Sequence, residues 1–178
     1  MLSFVLCDDN KAILDRLSKM LETIFIGHNI DAEVSLASTN PQDVLDYLKR
    51  NVVNVLFLDI DLKSTISGLD LADIIRKFNK EVYIVFTSAH LEYILLAYKC
   101  KTFDFIPKPI SIERVEETII RLMDDINYVE NMMFKLNTYE RNGIYLGVNL
   151  FITHETSKIP LNTRTLDGLI RKLFCTEQ

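Results

Sequence analysis

Asn54-Val55-Leu56-Phe57-Leu58-Asp59-Ile60-Asp61 is the stretch that decides the fold. Val55 to Leu58 is an unbroken apolar run, the pattern of a strand buried on both faces of a parallel sheet rather than one with a solvated side. The run stops abruptly at Asp59, with a second carboxylate at Asp61. In open parallel sheets the chemistry gathers in the crevice beyond the carboxyl ends of the strands. Asp59 stands at such an end.

Working outward toward the N-terminus, Phe4-Val5-Leu6-Cys7 reads as a short strand ending in Asp8-Asp9-Asn10. Ala12, Ile13, Leu14, Leu17, Met20, Leu21 and Ile24 recur at helical spacing, which predicts an amphipathic helix to about Phe25, with Gly27 as its terminator. Ala32 to Ala37 reads as a second strand, and Ser38-Thr39-Asn40-Pro41 opens a helix with Val44, Leu45 and Leu48 inward. The central strand is expected over Val53 to Asp59.

Toward the C-terminus a loop runs to Gly68, and a helix carrying Leu69, Leu71, Ala72, Ile74 and Ile75 follows. Glu81 to Phe86 is expected as a strand ending in Thr87-Ser88-Ala89, His90 to Lys99 as a helix, and Thr102 to Ile106 as a strand closed by Pro107-Lys108-Pro109. Ser111 then caps a long helix with Ile112, Val115, Ile119, Leu122, Met123 and Ile126 on its apolar face. Five strands alternating with five helices predict an α/β fold, a doubly wound five-stranded parallel sheet with helices on both faces. Asp8-Asp9, Asp59 and Thr87 all fall at carboxyl ends of strands, and Lys108 follows the fifth.

Composition bounds the reading. A chain of 178 residues buries roughly 70% of its unfolded surface and needs no staples. Its hydrophobic content of 48% with 25% charged residues is that of a globular protein, not a disordered one. No apolar stretch approaches the roughly 20 residues that cross a bilayer, and Met1 to Leu6 lacks a secretion pattern. Cys7, Cys100 and Cys175 are scattered and odd in number, which suggests neither a disulfide framework nor a zinc site, so a reducing cytoplasm is the expected compartment. His28, His90 and His154 share no metal-ligand spacing. The net charge is −7 before Lys135 and +2 from there on; the basic excess is too small to argue for nucleic acid by itself.

Each strand-end residue alone has an ordinary reading: Asp8-Asp9 as a helix cap, Asp59 as a turn residue, Thr87-Ser88 as a cap, Lys108 as a solvated cation. Together they converge on one sheet edge. Three carboxylates there repel one another, and a hard divalent cation such as magnesium, which prefers oxygen ligands, resolves the conflict. Lys108 adds a cation and Thr87 a hydroxyl. An aspartate, a magnesium ion, a lysine and a hydroxyl make a phosphoryl acceptor.

This set, Asp8-Asp9, Asp59, Thr87 and Lys108-Pro109, resembles the receiver domain of two-component response regulators, a flavodoxin-like fold, over residues 1–127. The resemblance implies that Asp59 is the phosphoacceptor. It makes Asp9 a magnesium ligand, with Asp8 holding metal-bound water and Asp61 offering its backbone carbonyl. Thr87 is then the switch hydroxyl, Lys108 the phosphate-pairing lysine, and Lys108-Pro109 a cis peptide. The implied partner is a sensor histidine kinase, and phosphorylation is expected to change homodimerisation or partner binding. Two departures stand out. Phe105, at the aromatic switch position three before Lys108, lacks the hydroxyl of the usual Tyr, and the loop from Asp59 to Gly68 is long for the family.

Beyond Asn127 the helical pattern fades, and 128–142 is expected as a linker. Gly143 to Thr153 and Lys158 to Thr165 read as strands and Leu166 to Leu173 as a short helix. Phrases such as Gly68-Leu69-Asp70-Leu71-Ala72 and Phe103-Asp104-Phe105-Ile106-Pro107-Lys108-Pro109 resemble regulators with a LytTR-type DNA-binding domain, and 143–178 is similar to roughly half of such an output domain. Transcription control through DNA is the output this implies; a receiver acting by protein contacts alone is the alternative. A phosphatase of the haloacid dehalogenase type also forms an aspartyl phosphate, but it resembles Asp-x-Asp-x-Thr on a first strand. Here Lys63 stands four after Asp59, and the strand is the third. A domain modified once per signal, rather than an enzyme turning over phosphate esters, is the expectation.

Overall fold

The computed structural model describes residues 1–141; the expected output segment, 143–178, lies outside the described residues. Polar punctuation sets the elements. β1 (Leu2–Cys7) runs into Asp8, and α1 (Lys11–Gly27) starts after Asn10, whose side chain accepts the Ala12 N–H at 3.0 Å. β2 (Ala32–Ser38) leads to α2 (Pro41–Arg50), capped by Asn40 with Pro41 in its first turn. β3 (Val55–Asp59) leads to α3 (Gly68–Phe78), which opens with a capping box: Ser67 Oγ accepts from Asp70 N–H at 3.1 Å and Asp70 Oδ2 from Ser67 N–H at 3.0 Å. β4 (Tyr83–Ser88) is followed by a 3-10 turn (Leu91–Tyr93), α4 (Ile94–Lys99), β5 (Asp104–Pro107) and α5 (Ile112–Arg141).

The sheet is all parallel, as the alternation predicted, and its strands lie in the order β2-β1-β3-β4-β5. From β1 the chain winds to one side to β2 and then crosses to the other side to β3. The crevice between the carboxyl ends of β1 and β3 is therefore the switch point of the topology, where open α/β sheets bind ligands. Every residue of β3 is buried, so the apolar run reports two covered faces. Alternate side chains feed two cores. Cys7, Leu56, Leu58, Ile84 and Phe86 pack with α2, α3 and Ala97 and Cys100 beside α4, while Phe4, Leu6, Val55, Phe57 and Val85 pack with α1 and α5.

Three elements differ from the sequence expectation. β4 starts two residues later than expected, because Asn79 Oδ1 takes the N–H groups of Glu81 and Val82, each at 3.0 Å, and holds them in a turn. At its other end the strand takes in Thr87 and Ser88, which pair with Asp59 and Pro107. The helix expected over His90 to Lys99 begins as a 3-10 turn and has only six α-helical residues. Finally, α5 does not fade at Asn127 but continues to Arg141 through most of the expected linker. No Gly or Pro interrupts the chain between Pro109 and Gly143, so backbone propensity sustains the helix where the apolar stripe thins.

Candidate phosphoacceptor site

The site is built where β1 and β3 end side by side. β1 and β3 pair as Cys7 with Leu58, so the next residue of each strand brings Asp8 and Asp59 to the same edge. Both are buried, Asp59 at 2% exposure and Asp8 at 3%. Lys108 comes from the loop after β5 and places its ammonium 2.8 Å from Asp8 Oδ2 and 2.8 Å from Asp59 Oδ2. The Lys108 N–H donates to Ser88 O at 2.8 Å, which ties that loop to the end of β4, and Lys108-Pro109 is cis, as the resemblance implied. Asp59 Oδ1 accepts only a long bond, 3.3 Å, from the Asp61 N–H.

The electrostatics follow from this shortage of donors. Burial pushes Asp59 above the usual carboxylate range; the Lys108 hydrogen bond and charge pull against it, and the charge of Asp8 adds to the rise. Burial alone would lower Lys108, but its contacts with Asp59 and Asp8 outweigh that and raise it. One ammonium thus serves two carboxylates. Although Asp8 Oδ2 lies at ion-pair distance from Lys108, it is buried and accepts no hydrogen bond of good geometry.

The three carboxylates Asp8, Asp9 and Asp59 each offer an oxygen within 4.8 Å of the others. An all-oxygen donor set and a buried oxygen without a hydrogen bond fit a hard cation such as Mg2+. Asp61, also expected near the metal, does not join this group with its carboxylate. That side chain instead accepts from Ser88 Oγ at 2.9 Å, while Ser88 Oγ takes the His90 N–H at 3.0 Å. Thr87 is Asp59's direct partner in the β3–β4 ladder and is 2% exposed. Phe105 stands one strand further out, opposite Phe86, half-buried against the core shared with α2 and α3. The edge therefore gathers Asp8, Asp9, Asp59, Thr87 and Lys108; Asp61 borders it and Phe105 lies apart.

Three contributors went unread in the sequence. Lys63 reaches Asp9 Oδ2 at 3.0 Å, and a lysine in an aperiodic loop carries no signal for that contact. Ser88 carries only the ordinary signal of a helix cap, and its bond to Asp61 bridges residues 27 apart in sequence. Gly68 was legible as a loop end, but not its reason: a Cβ there would fall 2.0 Å from Asp59 O and 2.9 Å from Ile60 Cα. Only glycine lets α3 begin against the backbone that carries Asp59. Its N–H donates to Ile60 O at 2.9 Å.

A five-stranded parallel sheet with an acidic pocket and a lysine at its switch point defines a receiver domain. The chain belongs to the response regulator receiver domain family, whose profile matches residues 4–120. It is 27% identical over 164 residues to accessory gene regulator protein A of Staphylococcus aureus, spanning 85% of this chain and 68% of that protein. It is 31% identical over 119 residues to sensory transduction protein LytT of Bacillus anthracis, spanning 67% of this chain and 46% of that one. Both accord with the LytTR-type resemblance. Among solved structures, the response regulatory domain of protein mrkE from Klebsiella pneumoniae superposes with a TM-score of 0.62 at 27% identity, covering 70% of this chain and 97% of that one. Among the described residues no helix is long and apolar enough to cross a membrane.

Proposed function

We propose that the chain is a cytoplasmic two-component response regulator switched by phosphorylation of Asp59, with a sensor histidine kinase as donor. The observation that carries this is the buried Asp59 carboxylate at the end of the central strand, held by Lys108 at 2.8 Å beside an Asp8 oxygen that no hydrogen bond satisfies. In this reading Asp8, Asp9 and Asp59, with the Asp61 backbone carbonyl, hold Mg2+. When bound, the ion neutralises charge on the transferred phosphoryl group.

The chain's own groups do the rest. Lys108 opposes the effect of burial on Asp59 and so favours the ionised, nucleophilic form of the carboxylate. An Asp59 oxygen forms the bond to phosphorus as the bond from phosphorus to its donor breaks, and the Lys108 ammonium stabilises the product's negative charge. Thr87, the ladder neighbour of Asp59, would donate its hydroxyl to that group. Rotation of Phe105 would follow as a packing change only, since its ring has no donor. The output we propose is a change in homodimerisation leading to DNA binding and transcription control. Output by protein contacts without DNA is a second reading, favoured by the exposed run Ile94, Leu95 and Leu96 on α4, at 44%, 79% and 43% exposure.

Intact mass after incubation with Mg2+ and acetyl phosphate tests the acceptor. The expected result is one phosphoryl adduct on the wild type and none on Asp59→Asn. An equal adduct on both would move the acceptor elsewhere. Gel-shift measurements on the phosphorylated chain separate the DNA output from the protein one.

A further inference from the structure

We infer that Lys63 is a resident counter-ion of the acidic pocket, which a divalent cation must displace from Asp9, so that Lys63 sets the affinity of the site. This rests on reading Asp8, Asp9 and Asp59 as a magnesium site. Among the described residues, Lys108 is engaged by Asp8 and Asp59, and the pocket's third carboxylate is met by Lys63, whose Nζ lies 3.0 Å from Asp9 Oδ2. Three carboxylates with two ammonium groups leave a single net negative charge. A divalent cation arriving beside Lys63 meets that ammonium's repulsion and competes for the same Asp9 carboxylate.

The loop is built so that the ammonium can leave while its backbone stays. On one side of Lys63 the Leu62 side chain is buried, at 7% exposure. On the other, Ser64 closes a tight turn: its N–H donates to Leu62 O at 2.8 Å, and its Oγ donates to Ile66 O at 2.6 Å. The loop is pinned at its ends by Ile60 N–H on Thr87 O at 3.1 Å and Gly68 N–H on Ile60 O at 2.9 Å. Between these anchors the Lys63 side chain is 88% exposed. A four-carbon stem on a fixed backbone aims its charge at Asp9, yet can swing into water with little disturbance. Asp9 itself is 18% exposed, so the pair lies at the mouth of the pocket, on the side open to an entering ion.

The size of the effect is bounded by that exposure. A screened pair is weak, so removing the Lys63 charge should tighten cation binding by about two- to fivefold rather than by orders of magnitude. Titration calorimetry of the full chain with MgCl2 at low ionic strength tests this on wild type, Lys63→Gln, Lys63→Arg and Lys63→Glu. Expected are tighter binding for Lys63→Gln, tighter again for Lys63→Glu, and near wild-type affinity for Lys63→Arg. The gap between wild type and Lys63→Gln should close as KCl is raised, because salt screens exposed charges. The rise in unfolding temperature at fixed MgCl2 should follow the same ranking. Wild-type affinity in both Lys63→Gln and Lys63→Glu overturns the inference while leaving the magnesium site standing. So does a Lys63→Arg protein that tightens as much as Lys63→Gln, since loop contacts rather than charge would then be responsible. No Mg2+ binding by any of the four proteins takes down the magnesium reading itself, and this inference with it.

Discussion

Asp59 and Asp104 lie two strands apart in the same sheet and are treated in opposite ways. Asp59, at the carboxyl end of β3, shares one ammonium with Asp8 and receives a single long backbone bond. Asp104, at the start of β5, is saturated: Phe105 N–H at 2.8 Å, Arg114 Nη2 at 2.7 Å, Thr118 Oγ1 at 2.6 Å, and Arg121 Nη2 as well. Burial raises the carboxylate pKa at both sites. At Asp104 the hydrogen bonds from Arg114 and Thr118 outweigh burial and hold the group below the usual range, whereas at Asp59 burial wins. A carboxylate that only fastens β5 to α5 can use every lone pair for that purpose. One that must accept a new bond is left short of donors, and its unmet charge is what a cation can answer.

The sharpest way to break this contrast is to neutralise each group in turn. Asp104→Asn should lose about 3 kcal/mol in urea unfolding, since two guanidinium groups at the β5–α5 junction lose their counter-ion. Gly68→Ala should lose about 1–3 kcal/mol, because the added methyl meets the Asp59 backbone and must displace it. The same variant should bind Mg2+ more weakly in calorimetry, as the displaced backbone carries a pocket carboxylate. Asp59→Asn should instead gain about 1 kcal/mol, since it removes a buried, poorly satisfied charge and leaves Lys108 to Asp8 alone. A loss as large as that of Asp104→Asn would show that the two carboxylates are structural equals.

The two carboxylates also give pH dependences of opposite sign. Asp104 is depressed, so its stabilisation is complete above the ordinary carboxylate value of about 3.9 and is lost as pH falls through its lower folded value. Asp59 is raised, so the folded state holds its proton more tightly. Stability then falls as pH rises from about 3.9 through the folded value of Asp59. Melting temperatures across that range should show a shallower acid loss for Asp104→Asn and no descent from this group for Asp59→Asn. The smallest effect expected is none at all. Burial pushes the Cys7 and Cys100 thiols up to about 12, so iodoacetamide at pH 8 should leave both unmodified in the folded chain, as read by peptide mass mapping.

Much of the site was legible because its signals are local. The run Val55 to Leu58 announces a doubly covered strand, and the alternation around it places Asp8, Asp59 and Thr87 at strand ends without any knowledge of packing. Misplaced boundaries had local causes too, but ones that depend on which hydrogen bond wins. Asn79 draws Glu81 and Val82 into a turn and delays the start of β4, and α5 outlasts its apolar stripe because no breaker residue ends it. The capping box of Ser67 and Asp70 is likewise local, since its spacing is legible in the sequence.

Chain periodicity and backbone chemistry suffice for the alternation of strands and helices, the parallel sheet this alternation requires, and the set of strand-end residues on one edge. How charge is shared there is settled by packing. Lys108 spans Asp8 and Asp59, Lys63 takes Asp9, Asp61 turns to Ser88, and α5 saturates Asp104. These partners lie far apart in the chain or in loops without periodicity. Which cation reaches which carboxylate depends on the order of the strands and the seating of the loops, and neither is written in any local pattern.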